Sequence, residues 1–214
     1  MNSSIADLRK EYSSQSLLET DIERNPFDQF EKWWTQAVNS QIDEPNAMTV
    51  ATASGDGMPA ARIILLKGFD KTGFVFFTNY KSYKAMHLEE NPRACLVFFW
   101  KELERQVRIT GLVERVSEKE SDDYFYSRPK GSQIGAWASP QSQVIENRDW
   151  LDQHYLQLTE EFKQKELKRP AHWGGYRVTP VIIEFWQGRP SRLHDRIQYS
   201  LEEDGKWKIE RLSP

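Results

Sequence analysis

The residues best equipped for chemistry cluster in EFWQGRPSRLHDR, from Glu184 to Arg196. Arg192, His194 and Arg196 stand at every second position, a few residues past the indole of Trp186. On an extended chain successive side chains alternate faces, so these three would share one face, with Leu193 and Asp195 on the other. Two guanidiniums and an imidazole beside a large ring suit a flat, anionic, aromatic ligand. The same pattern fits a solvated edge strand whose charges discourage aggregation, and the segment alone leaves both readings open.

A second set of cationic and hydroxyl residues is scattered over strand ends and loops. Arg62 and Lys67 bracket the apolar run Ile63, Ile64, Leu65 and Leu66. Thr78 and Lys84 flank a turn into a short helix, and Arg128, Lys130 and Ser132 sit in a Gly-, Pro- and Ser-rich stretch that Gln141 and Ser142 close. Charge-assisted bonds from such groups suit phosphate oxygens, and a helix N-terminus favours an anion. Each residue alone is more often plain surface; as a set they can hold two phosphates. Other chemistries find no support. The four histidines (His87, His154, His172 and His194) show no metal-ligand spacing, so no metal is expected. There is no nucleophile elbow, P-loop or dinucleotide fingerprint.

These side chains need a scaffold, and 214 residues are enough to bury a core without staples. A net charge of −3 gives no general reason to expect nucleic acid. The single cysteine, Cys95, lies in an apolar run, reads as a small core residue and suits a reducing compartment. With no span-length apolar stretch and no signal-peptide core, the expectation is a cytoplasmic protein with no membrane partner.

Residues 1–24 are polar and read as a mobile arm; residues 25–214 read as one domain. Asn25-Pro26 predicts a helix start, with Phe27, Phe30, Trp33 or Trp34, and Ala37 on its buried face. Strands are expected at 47–53, 60–66, 74–78, 94–100, 106–116, 176–187, 192–200 and 206–212, separated by short turns, with a short helix at 82–90. Ser117 with Glu120 is a capping box, residues 127–142 read as an irregular loop, and Leu151, Tyr155, Leu158 and Phe162 mark an amphipathic helix with a buried stripe. The fold class is mainly β with flanking helices (α+β), built on an antiparallel sheet or barrel.

Several longer segments carry a resemblance: AMTVATASGDGMPAARIILLKGFD, FFTNYKSYKA, LERQVRITG, YFYSRPKGSQIGAWASPQS, HWGGYRV, EFWQGRPSRLHDR and the ending WKIERLSP. Together, in order and over nearly the whole chain, they resemble the pyridoxine (pyridoxamine) 5′-phosphate oxidase family. The resemblance implies an FMN-binding split β-barrel and a homodimer with flavin at the subunit interface. It implies FMN contacts from Arg62, Ile63, Ile64, Leu65, Leu66, Lys67, Phe77, Thr78, Lys84, Gln106, Gln141, Ser142, Trp186 and Arg196. It places the substrate phosphate on Lys67, Tyr124, Arg128 and Ser132, with Arg192 and His194 over the pyridine ring as catalytic residues. Arg9 and Tyr12 would close the site as a lid. The implied reaction is oxidation of pyridoxine or pyridoxamine 5′-phosphate by O2 to pyridoxal 5′-phosphate, releasing H2O2, and NH3 from the amine. One position departs from the pattern: the family usually reads S-R-K where this chain has Ser82-Tyr83-Lys84, so one charged phosphate contact is missing. That departure motivates the alternative of a non-catalytic split-barrel protein that binds pyridoxal phosphate or flavin.

Overall fold

The computed structural model describes residues 5–7 and 10–214. Its first long element, helix α1 (Pro26–Asn39), starts as the sequence predicts: Asn25 Oδ1 accepts from the Phe27 N–H at 2.9 Å, and proline occupies the first turn. Phe27, Phe30, Trp33 and Ala37 are buried along one face. Phe30 meets Phe69, Phe74 and Phe98 edge-on, with centroids 4.8–5.3 Å apart. Burying one such ring contributes about 1.5–3 kcal/mol, so this contact fixes α1 against the sheet.

The sheet is antiparallel and nine-stranded among the described residues. Its strands are β1 (Ala47–Ala53), β2 (Pro59–Leu65), β3 (Gly68–Asp70), β4 (Gly73–Asn79), β5 (Arg93–Trp100), β6 (Arg105–Arg115), β7 (Trp173–Gln187), β8 (Asp195–Leu201) and β9 (Trp207–Arg211). The order along the main path is β2-β1-β5-β6-β7-β4-β3. Strand β7 organises it. Its first half pairs with β4 and its second half with β8, while β6 runs alongside nearly the whole length. The split of the half-barrel falls between those two partners. The register shifts at Thr110/Gly111, where Val181 is the extra residue of a bulge on β7, and a Cβ on Gly111 would lie 2.2 Å from the Thr179 carbonyl oxygen. In β1 and β5 burial alternates, with Met48, Val50, Leu96, Phe98 and Trp100 inside. Cys95 points the other way and is half-buried, so it is not the core residue the apolar run suggested.

Four further helices flank the sheet: α2 (Tyr83–Glu90), α3 (Glu118–Ser127), α4 (Lys130–Ala138) and α5 (Arg148–Glu161). Ser117 caps α3 through the Glu120 N–H, as its capping pattern predicts. Helix α4 is a correction, because 127–142 reads as irregular. Glycine and serine weaken its helical signal, and packing against α5 supplies what propensity does not: Gly131 lets α4 approach the Tyr155 hydroxyl closely. The stripe on α5 is half-buried, with no buried residue on that helix. The strand expected from Arg192 starts only at Asp195. Residues Pro190–Arg192 instead form a 3-10 turn in which Ser191 and Arg192 take positive φ of 57° and 61°. The face-sharing of Arg192, His194 and Arg196 is lost with the extended backbone.

The described part of the arm lies along the body. Leu17 is 3% exposed and joins the main core. The N–H groups of Ser13 and Ser14 donate to Glu104 Oε2 at 2.8 and 3.0 Å, and that of Leu17 donates to Asp195 Oδ2 at 3.0 Å.

Candidate active site

A cavity of about 430 Å³ opens between the sheet and the α3–α4 pair. One wall is aromatic: Phe77 on β4 stacks on Tyr124 of α3 with centroids 4.0 Å apart, and Trp173 at the start of β7 lies nearly parallel to both. Among the described residues three cations, Lys67, Lys84 and Arg128, line the cavity, and no carboxylate does. Ile64 and Leu65 from β2, Thr78, Ser132 and Gln141 complete most of the lining.

The cations are held without counter-charges. Lys84 is 6% exposed, and its Nζ donates to Thr78 Oγ1 at 2.9 Å and Ser82 Oγ at 3.2 Å, both neutral oxygens. Burial, together with the nearby Arg62 guanidinium, pushes its ammonium down to about 8. The guanidinium of Arg128 sits over the Trp173 ring at 4.5 Å, and its Nη1 is buried with no hydrogen-bond partner among the described residues. Burial also pulls the affinity of Arg128 and Arg62 for their protons below the ordinary arginine value. A buried donor left unpaired costs free energy that an anion would return. An aromatic wall with uncompensated cations in the same cavity therefore fits a planar ligand bearing phosphate.

A second cluster gathers Tyr12, Trp186, Arg192 and His194 around the β7–β8 turn. It borders a separate hollow lined by Lys10, Glu11, Tyr12, Arg189, Ser191, Arg192 and His194. The His194 ring lies 4.6 Å from the Trp186 indole, and Tyr12 meets that indole edge-on at 5.8 Å. The Arg189 N–H donates to His194 Nδ1 at 3.0 Å, which leaves Nε2 as the position for a proton on the neutral ring. Burial, then the Arg192 charge, lowers the proton affinity of His194. Gly188 makes room for Tyr12: a Cβ there would fall 2.7 Å from the tyrosine ring.

The sequence-selected residues thus fall into two groups. Ile64, Leu65, Lys67, Phe77, Thr78, Lys84, Tyr124, Arg128, Ser132 and Gln141 meet in the cavity, with Arg62 beside Lys84. Tyr12, Trp186, Arg192 and His194 meet at the turn, and no residue lines both spaces. The rest lie outside both. Ile63 is 68% exposed, Leu66 is buried in the core, and Ser142 is exposed beyond the cavity. Gln106 faces Trp186 across the β6–β7 ladder, and Arg196 is engaged by Glu184 at 2.9 Å. Arg9 falls outside the described residues. Asn79, Ser139 and Trp173 also line the cavity; all three lie in segments that carry the resemblance (FFTNYKSYKA, YFYSRPKGSQIGAWASPQS and HWGGYRV), but none is singled out there as a site residue.

Comparisons with known proteins agree with this geometry. Residues 34–160 match the family profile described as pyridoxamine 5′-phosphate oxidase. Residues 173–214 match one described as the pyridoxine 5′-phosphate oxidase C-terminal dimerisation region. A pyridoxine/pyridoxamine 5′-phosphate oxidase of a Nostoc species is 58% identical over 214 residues, covering the whole of both chains. One from Cupriavidus pinatubonensis is 55% identical over 210 residues, 98% of this chain and 99% of its own. Among solved structures, PhzG from Burkholderia lata, in complex with tetrahydrophenazine-1-carboxylic acid, superposes with a TM-score of 0.88. It is 30% identical and covers 94% of this chain and 100% of its own. A pyridoxamine 5′-phosphate oxidase-related, FMN-binding protein from Nostoc punctiforme shares the fold at a TM-score of 0.70 and 16% identity, covering 94% of this chain and 100% of its own.

Proposed function

Because the chain belongs to the pyridoxamine 5′-phosphate oxidase family, whose members are flavin-dependent enzymes, we propose that it oxidises pyridoxine 5′-phosphate or pyridoxamine 5′-phosphate to pyridoxal 5′-phosphate. The observation that carries the reading is the cavity's charge: buried Lys84, half-buried Arg128 and exposed Lys67, no carboxylate among the described lining residues, and a stacked aromatic wall. FMN, held at its phosphate by Lys84 and Arg62, would supply the two-electron redox chemistry, with dioxygen as the final acceptor and hydrogen peroxide as the product. From the amine substrate, water then releases ammonia.

The chain's own residues bind and orient. Lys84, with Arg62 beside it and the Thr78, Ser82 and Gln141 side chains around it, suits the FMN phosphate. Arg128, Lys67, Ser132 and the Tyr124 hydroxyl suit the substrate phosphate. Arg192 and His194 are assigned to the substrate ring, where His194, its Nδ1 already accepting from the Arg189 N–H, can donate its Nε2–H to the substrate and help fix its pose. Within one chain that pair borders a different hollow from the cavity, and it lies in the segment matching the dimerisation region. We therefore assign the two groups to one site shared by the two chains of a homodimer, with Tyr12, and Arg9 beyond the described residues, closing over it. Among the described residues no helix is long and apolar enough to cross a membrane, and the lone Cys95 suits a reducing compartment, so the reading puts the reaction in the cytoplasm.

PhzG, the structural relative, is described with a carboxylic acid that has no phosphate. The uncompensated Arg128 favours a phosphorylated substrate here. The test is the visible spectrum of FMN-loaded protein mixed anaerobically with pyridoxine 5′-phosphate and then exposed to air. Bleaching of the flavin band and its return with oxygen is expected. A band that stays unbleached with FMN bound would refute the substrate assignment and revive a non-catalytic binder.

A further inference from the structure

Arg62 is held from behind by a short buried chain of hydrogen bonds. Its Nη1 donates to Thr52 Oγ1 at 2.9 Å and, at longer range, to the carbonyl oxygens of Ala60 and Val50 at 3.3 and 3.4 Å. Because the threonine oxygen accepts from a guanidinium, its own O–H remains to donate, and His87 Nδ1 lies 3.2 Å away. Thr52 and His87 are 4% and 3% exposed. The three residues come from three elements, β1, β2 and α2, so the chain ties the helix that carries Lys84 to the strand that carries Arg62. Tyr83 covers the imidazole with ring centroids 4.3 Å apart.

We propose that His87, acting through Thr52, is a positioning residue for Arg62 in cofactor binding. The unprotonated Nδ1 fixes the threonine hydroxyl, the hydroxyl fixes Nη1, and the remaining guanidinium N–H groups are left for the FMN phosphate. This inference rests on the reading of Arg62 as a phosphate ligand. Orientation matters because an arginine fork binds phosphate through paired, directional N–H groups, and an untethered side chain must lose rotamer freedom on binding. It matters more here because Tyr83 stands where the family pattern has an arginine, so Arg62 carries a larger share of the phosphate contact.

The test is a pair of titrations of the full-length protein stripped of flavin, one with FMN and one with riboflavin, which lacks the phosphate. His87→Phe removes the acceptor and should weaken FMN about tenfold, the lower end for a hydrogen bond involving a charged group, while riboflavin affinity stays within about twofold. His87→Asn presents an amide oxygen near the Nδ1 position and should restore FMN affinity to within about threefold of the parent. Thr52→Val should match His87→Phe, and the double variant should be no worse than either alone, as expected of residues in one chain. Equal weakening of FMN and riboflavin in His87→Phe would show a merely structural histidine and overturn the inference. So would unchanged FMN affinity, or a failure of His87→Asn to recover it. If Arg62→Ala left the ratio of FMN to riboflavin affinity unchanged, the reading of Arg62 itself would fall, and the inference with it.

Discussion

The cavity between the sheet and α3–α4 is assembled differently from the turn that carries Arg192 and His194. In the cavity most of the lining comes from regular elements, with Lys67, Arg128 and Gln141 on the short connections between them, the rings of Phe77, Tyr124 and Trp173 stack, and the cations sit in place without anions among the described residues. The turn is irregular: Ser191 and Arg192 hold left-handed backbone, a conformation that costs about 1–3 kcal/mol per residue without glycine, and Arg192 is exposed. Polar contacts hold it, notably Arg189 to His194 and Arg189 to the Gln15 carbonyl, with Arg211 tying Asp195 to the arm. A binding pocket can be preformed within one chain. Groups that must reach over a bound ring are placed on a segment free to meet it.

Breaking the turn should cost most. Arg192→Leu is expected to lower kcat/KM by about a hundredfold or more while FMN content stays at the parental level, since it removes a cation from the substrate and none from the cavity. Equal losses of both would mean that the turn belongs to cofactor binding. Breaking the cavity at Arg128 should do less, and should reveal its stored cost. Arg128→Met is expected to raise the substrate KM by about tenfold or more, and to raise the melting temperature of the ligand-free chain by about 2–4 °C, because a buried, unpaired donor is replaced by an apolar side chain.

The third effect is a pH dependence confined to the cavity. Lys84 loses its proton near 8 in the free protein, whereas a bound phosphate dianion favours the charged form. FMN affinity should therefore be level just below pH 8 and fall as pH rises through it, by up to about tenfold per unit, and the fall should vanish in Lys84→Met. Isothermal titration from pH 7 to 9 measures this. The smallest effect concerns the arm: Gly188→Ala displaces the Tyr12 ring and should raise the substrate KM a few-fold with kcat nearly constant. A large fall in kcat would give Tyr12 a part in the chemistry itself.

How much of this was legible in the sequence differs between the two regions for the same physical reason. Strand positions 47–53 and 74–78, the Asn25 cap and the Phe27–Phe30–Trp33–Ala37 face follow from local periodicity, and the structure reproduces them. The cations of the cavity were recognisable by type, but their convergence depends on β2, β4, α2 and α3 meeting, which no local pattern states. Helix α4 was hidden because Gly131, Ser132 and Gly135 argue against a helix that tertiary contacts make. Arg192 and His194 were found for a reason the structure removes, since the alternation of an extended strand does not hold at a 3-10 turn with positive φ. His87 reads with the other histidines as lacking metal-ligand spacing, and its tie to Thr52 joins positions too far apart in sequence for a local pattern to carry.

The central claim is that these two regions act on one substrate from different chains. Co-expressed Arg128→Met and Arg192→Leu chains, purified as mixed dimers, test it directly. Each variant alone should be severely impaired, yet the mixed dimer contains one site with both residues intact and should regain about half the parental activity. Placing both substitutions on one chain and pairing it with the parent leaves one defect in each shared site, so that dimer should stay impaired. Mixed dimers that stay as inactive as the separate variants would contradict the account and return Arg192 and Arg128 to a site within a single chain.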